Sequence, residues 1–219
     1  MRNVARNVWQ LAVIPPNVIN AYLVDNVLVD AGTRAARRKI LRALDGVSLE
    51  SVALTHCHPD HQGSAAAVCE QFGVPLACHP ADRDAMEGRG PMVPVNRWIR
   101  LSDRLMSGPR RAVDQCLEEG QTIAGFRVIH TPGHTPGHVS LFRESDGVLI
   151  AGDVVAGIHP LLLLPGLHEP PAFFCADARE NRRSLRKLGD LKPRTILFGH
   201  GPPLRDAEKF QRFVGAVCP

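Results

Sequence analysis

The sequence predicts an α/β layered fold. Three observations carry that prediction. Apolar β-like runs alternate with stretches of helical spacing through both halves of the chain. Hydrophobic residues make up 44% and charged residues 22% of the 219 residues, values of an ordinary globular protein. No internal repeat, low-complexity tract or linker divides the chain, so the expectation is one domain spanning residues 1–219.

Taken in order, Val8–Ile14, Ile19–Val24 and Val27–Asp30 read as strands, with Asp25-Asn26 as a tight hairpin turn. Thr33–Leu44 reads as a helix, because Ala36, Ile40, Ala43 and Leu44 recur on one face and arginines occupy the other. Ser51–Thr55 is a short buried-type strand. A His/Asp cluster follows, then a helix from about Gly63 to Phe72 and a strand Val74–Cys78. Phe126–His130, Val139–Phe142, Val148–Ala151 and Thr195–Phe198 read as strands, and Arg179–Leu188 and Ala207–Val217 as helices. The stretches at about 86–110 and 156–175 fit neither period and read as irregular insertions, the kind that form functional loops or lids.

The net charge of +4 is too small to argue for a nucleic-acid partner. Six cysteines include no Cys-x-x-Cys pair. The apolar run Val8–Ile14 ends at a Pro pair with no small-residue cleavage site, so no export signal is read. The expectation is a cytoplasmic chain with reduced thiols. The longest apolar stretches, such as Leu161–Leu164, are far too short to cross a bilayer. The expected partner is a small-molecule substrate, without nucleic acid or membrane.

Thr55-His56-Cys57-His58-Pro59-Asp60-His61 is the sharpest feature. Period-2 geometry puts His56, His58 and Asp60 on one side of an extended loop, with Cys57 and Pro59 on the other and His61 just before a helix. Such a loop can offer imidazoles to one metal and a carboxylate plus an imidazole to a second. His134, Asp153 and His200 each follow a predicted strand and are flanked by glycine, which allows close backbone approach to a crowded centre.

This set resembles the metallo-β-lactamase superfamily. The resemblance covers His56-x-His58-x-Asp60-His61, His134, Asp153 and His200, and also Asp30 of Val29-Asp30-Ala31-Gly32, from about Asn20 to about Pro203. It implies an αββα four-layer sandwich with metals at one edge of two sheets. It implies His56, His58 and His134 on one divalent ion, Asp60, His61 and His200 on another, and Asp153 bridging both. Asp30 would support the metal loops. Zinc suits such donors, with iron or manganese as alternatives. Two ions about 3.5–4 Å apart can share a hydroxide whose pKa falls to about 7, a nucleophile at neutral pH. Asp60 is then also the candidate catalytic proton shuttle.

Other histidines have lesser roles. His138 is a candidate second layer or substrate contact. His159 and His168 follow the bridging Asp153 and are candidates to reach the pocket, against a surface-loop reading that is slightly favoured. His79 reads as a cap and His130 as a buried polar contact. Cys57 reads as a small buried hydrophobe. Arg179, Arg182, Arg183 and Arg186 form a stripe, a solvated helix face or an anchor for an anionic substrate tail.

The function expected is dinuclear metallohydrolysis of a thioester, ester or lactone. The resemblance leaves rivals. β-Lactam hydrolysis is disfavoured by Asp153, glyoxalase II by the short tail Leu204–Pro219, and the lactonase tyrosine is missing because Tyr22 is the sole tyrosine. Nuclease or phosphodiesterase activity lacks the added domains, and a non-catalytic metal-binding protein is disfavoured by the intact ligand set. The apolar residues of Pro160–Pro165, Phe173-Phe174, Met86, Met92 and Trp98 read as an apolar lip over the metals, with core burial or a homodimer contact as the other readings.

Overall fold

A computed structural model describes residues 1–159 and 161–218; Pro160 and Pro219, each named in a sequence expectation, lie outside the described residues. The chain opens with β1 (Arg2–Ala5), β2 (Val8–Ile14), β3 (Ile19–Val24) and β4 (Val27–Val29). A 3-10 turn leads into α1 (Arg37–Ala43), followed by β5 (Ser51–Ala53), the one-turn α2 (Pro59–Gln62), α3 (Ala65–Phe72) and β6 (Leu76–Cys78). Next come α4 (Pro80–Glu87), α5 (Arg97–Met106), β7 (Gln115–Cys116), β8 (Thr122–Ile123), β9 (Phe126–His130), β10 (Val139–Arg143) and β11 (Val148–Gly152). The hairpin β12 (Ala156–Ile158) and β13 (Pro165–His168) precedes α6 (Ala178–Asp190), β14 (Thr195–Phe198) and α7 (Ala207–Val217).

One sheet runs β1-β2-β3-β4-β5-β6-β7, antiparallel through β4 and parallel from β4 onward. The other runs β14-β11-β10-β9-β8, with only β11 and β14 parallel. Alternation along each strand builds three apolar layers. In β4, Val27 and Val29 enter the layer between the sheets, while Leu28 faces the helices. In β11, Val148 and Ile150 enter that same inter-sheet layer, while Leu149 and Ala151 pack towards α6 and α7. Helix, sheet, sheet and helix thus stack as an αββα sandwich.

The predicted strands and helices are present, with bounds moved by up to four residues. The largest correction falls on 86–110. It holds the end of α4 and the whole of α5, whose first turn is capped by Asn96 accepting from Trp98 and Ile99 N–H. The helix escapes a single-stripe reading because it carries apolar residues on two faces. Met86 and Met92, expected in the lip, are buried in the core under the first sheet. The described residues of the 156–175 stretch likewise form regular structure, the β12–β13 hairpin and a 3-10 turn at Ala172–Phe174.

Candidate metal centre

The ends of β5, β11 and β14 and the loop after β9 converge on one sheet edge and bring His56, His58, Asp60, His61, His134, Asp153 and His200 together. Asp60 and His61 lie within the helical turn α2 rather than before a helix, because Pro59 at its first position fixes the backbone for helix entry. Cys57 points into the core as expected.

Each histidine has one nitrogen committed to the protein, which fixes what the other offers. The Thr55 hydroxyl donates to Asp30, so Thr55 Oγ1 accepts from His56 Nδ1 at 3.0 Å and His56 Nε2 keeps a lone pair. His58 Nε2 donates to the Val93 carbonyl at 2.8 Å, leaving a lone pair on Nδ1. Those two lone pairs face each other at 3.2 Å. His61 Nδ1 donates to Asp30 Oδ2 at 2.9 Å and His200 Nδ1 to the Val18 carbonyl at 2.5 Å. His134 Nδ1 sits 3.7 Å from Cys175 Sγ.

Asp153 Oδ2 lies 3.6 Å from His134 Nε2, 3.4 Å from His61 Nε2 and 3.0 Å from His200 Nε2, so a single oxygen touches both histidine groups. Asp60 Oδ2 lies 3.3 Å from His200 Nε2. His61 Nε2, His134 Nε2 and Asp153 Oδ1 are buried without a hydrogen bond. Buried atoms orphaned in this way call for a partner, and facing imidazole lone pairs call for a cation. The donors His56, His58 and His134, and separately Asp60, His61 and His200, are close enough to hold one each.

The charge states follow burial and neighbours. Burial, reinforced by the surrounding histidines, holds His56 and His134 well below the ordinary histidine range. His61 and His200 go the other way. Burial would lower them, but Asp153 and Asp30 outweigh it at His61, and Asp153 and Asp60 push His200 up to about 10. Burial would raise Asp60 and Asp153, and the adjacent His61 and His200 hold both below the usual carboxylate range.

Asp30 accepts from Thr55 N–H, the Thr55 hydroxyl and His61, which ties the loop after β5 to α2. His138 is fully buried; its Nε2 accepts from Asp153 N–H at 3.0 Å, so it orients the ligand loop and does not meet a substrate. His79 caps α4, accepting from Ala81 N–H. His130 is half-buried rather than buried and stacks on His79, with ring centroids 4.0 Å apart. His159 and His168 follow the surface-loop reading and not the pocket one: His159 Nδ1 accepts from Leu161 and Leu162 N–H, His168 Nε2 meets the Leu164 carbonyl, and neither lines the cavity. Tyr22 donates to the Phe198 carbonyl at 2.7 Å and is away from the cavity.

Sequence reading missed Asp82. It is buried and accepts from Cys57 N–H, the Thr135 hydroxyl and Gly137 N–H, which ties the His56 loop to the His134 loop. A buried carboxylate at the start of α4 would be its signal, but α4 itself was not foreseen. Cys175 and the Val93 carbonyl were missed as well, since a lone residue brought in from afar leaves no local pattern. Gly199 has a steric reason: a Cβ there would sit 2.1 Å from Asp153 Oδ1.

Above the donors lies a cavity of about 250 Å³. Its floor is His58, Asp60, His134, Asp153 and His200; its walls are Val18, Ile19, Ile99, Met106, Ala156, Leu161, Pro170, Pro171 and Phe174. The apolar lip is therefore real in part: Leu161 and Phe174 line it, Phe173 and Leu162–Leu164 are exposed, and α5 supplies the wall assigned to a loop.

The family model of the metallo-β-lactamase superfamily matches residues 14–200, most of the chain and every donor described above. The chain belongs to the metallo-β-lactamase superfamily. Within that superfamily it is 33% identical over 200 residues to the probable metallo-hydrolase YflN of Bacillus subtilis, covering 81% of this chain and 76% of the relative. Two solved structures share the fold. TTHA1623, crystallised in a di-iron-bound form, is 30% identical with a TM-score of 0.66, covering 88% of this chain and 92% of that one. The B3 metallo-β-lactamase BLEG-1 is 28% identical with a TM-score of 0.71, covering 94% of this chain and 99% of that one.

Proposed function

We propose that the chain is a dinuclear metal-dependent hydrolase of a carbonyl bond, a thioester, ester or lactone, in a small substrate with an apolar acyl group or ring. The observation that carries this reading is the convergence of seven His and Asp side chains, five of which form the floor of a largely apolar cavity. His56, His58 and His134 would hold one ion, Asp60, His61 and His200 the other, and Asp153 would serve both. Imidazole and carboxylate donors suit zinc, and the di-iron form of TTHA1623 makes iron the alternative to test. When bound, such ions supply a water nucleophile at neutral pH and polarise the carbonyl under attack.

The chain's own groups do the rest. Asp60 lines the cavity and stays ionised, so its carboxylate can orient the attacking water and take its proton. Asp30 and the Val93 and Val18 carbonyls hold the histidine rings at fixed angles, which leaves little reorganisation for the reaction. Ile99, Met106 and Phe174 exclude water from the acyl side of the substrate.

The test joins metal analysis to a panel of acyl thioesters, esters and lactones, with β-lactams beside them because of the likeness to BLEG-1. The expected result is about two bound ions per chain, with hydrolysis that vanishes on chelation and returns with metal. Metal-loaded protein that cleaves only β-lactams, or none of the panel, overturns the substrate class.

A further inference from the structure

Helix α5 carries three parallel stripes, each at spacing i, i+3, i+7. Ile99, Ser102 and Met106 line the cavity. Trp98, Leu101 and Leu105 point to solvent, exposed by 46%, 51% and 58%. Arg97, Arg100 and Arg104, all exposed, form the third. Apart from Met1 and Ile14, every exposed large hydrophobic among the described residues lies on α5, on Val95 just before it, or in the 161–173 stretch.

These residues form one face around the cavity mouth. The Trp98 and Phe173 rings are 6.1 Å apart, Phe173 packs on Phe174, and Asn96 Nδ2 donates to the Phe173 carbonyl. Phe174 and Leu161 line the cavity from the same rim. Leu162, Leu163 and Leu164 follow Leu161 in the connection between β12 and β13, exposed by 65%, 49% and 53%. Asp103, beside them on α5, pairs with Arg110, and among the described residues Arg100 and Arg104 make no ion pair, while Arg97 lies over the Trp98 ring at 4.8 Å.

We propose that this face docks on an anionic lipid surface and that acyl substrates pass from the lipid into the cavity. The inference rests on the hydrolase reading for its second half and stands alone for its first. An apolar helix face of Trp and Leu flanked by a row of arginines is the pattern that lies in a membrane interface. The unpaired arginines complement lipid phosphates, each strengthening attachment to an anionic surface. A second copy is the poorer occupant, because a two-fold pairing of the face on itself brings two rows of arginine together. Leu161, Phe174 and α5 belong both to this face and to the cavity lining, so an acyl chain would pass from bilayer to metal donors along them. No described helix is long and apolar enough to cross a membrane, and lying on a surface requires none. On this proposal the expectation of no membrane partner, drawn from the absence of a spanning stretch, does not hold.

The experiment is co-sedimentation of the metal-loaded chain with phosphatidylcholine vesicles, with and without phosphatidylglycerol. Binding is expected to be strong with phosphatidylglycerol, weak without it, and reduced by salt. Arg100→Glu with Arg104→Glu should weaken it by at least about tenfold, and Leu162→Asp with Leu163→Asp should abolish it. Neither pair includes a metal donor or a cavity residue, so hydrolysis of a short-chain, water-soluble thioester should be unchanged in both. That second readout separates loss of docking from failure of the hydrolase reading. Wild-type protein that stays in the supernatant with both vesicles overturns the proposal. So does a solution dimer that the leucine pair dissociates without any vesicle binding, which would assign the face to a second copy.

Discussion

His56 Nε2 and His58 Nδ1 face each other 3.2 Å apart, and each ring has already committed its other nitrogen, to Thr55 and to the Val93 carbonyl. Two lone pairs held this close repel, and a cation between them turns the repulsion into coordination. His58→Ala should therefore remove about one equivalent of metal and lower kcat by more than the 10–100-fold typical of residues that only support a ligand. Elemental analysis with steady-state kinetics checks this; full metal content and normal turnover would remove His58 from the centre.

Asp82 takes three donors that have no other partner in its neighbourhood: Cys57 N–H, Gly137 N–H and the Thr135 hydroxyl. Leaving buried donors unsatisfied costs about 1–3 kcal/mol each. Asp82→Ala should lower stability by about 3 kcal/mol or more and weaken metal binding through the His56 and His134 loops. Asp82→Asn keeps acceptor capacity on one oxygen and should lose less. Denaturant midpoints of metal-free and metal-loaded protein separate the two effects.

The seven proposed donors were legible in the sequence because each falls at a strand end or in one short loop, where spacing and chemistry coincide. The layers were legible because strands such as β4 and β11 alternate between two apolar surroundings. Helix α5 was not, since its Ile99 and Trp98 stripes blur the single-face period, and proline and glycine surround it. Asp82 and Cys175 were not, because what defines them is contact with loops distant in sequence. His159 and His168 follow Asp153 closely in sequence, yet the β12–β13 hairpin turns them onto its own backbone.

Gly199 approaches the centre so closely that a Cβ would lie 2.1 Å from Asp153 Oδ1 and 2.7 Å from His61 Cε1. Gly199→Ala should displace Asp153 and reduce metal content at both groups. Gly215→Ala is the control: it lies in α7 with nothing near its Cβ, and should be neutral or stabilising by up to about 1 kcal/mol. Equal metal content in the two variants would refute the steric argument.

Without metal, pH should act from both sides. His200, raised to about 10, adds stability that is complete below its ordinary value of 6.5 and is lost as pH rises through about 10. His138, lowered to about 3 by burial, acts oppositely: below 6.5 the unfolded chain gains a proton that the fold refuses, so stability falls towards pH 3. Metal-free protein should be most stable between these limits. Metal at the Asp60–His61–His200 group must displace protons, so its affinity should rise with pH and binding should release protons. Calorimetry in buffers of different ionisation enthalpy measures that release, and binding at this group without it would contradict the charge assignment.

The apolar walls predict a preference for longer acyl chains. Each added methylene buried contributes about 0.8 kcal/mol, or about fourfold in kcat/KM, until the cavity fills. Ile99→Ala should reduce the gain for long homologues and leave short ones nearly unchanged. A flat series of homologues would mean that the acyl group does not enter this cavity.

On the proposed reading, these seven side chains hold two ions. Anomalous X-ray scattering at the metal edge, from crystals of the metal-loaded chain, tests it most directly. Two peaks are expected, one among His56, His58 and His134 and one among Asp60, His61 and His200, both in contact with Asp153. A single peak under saturating metal, or peaks away from these residues, would contradict it.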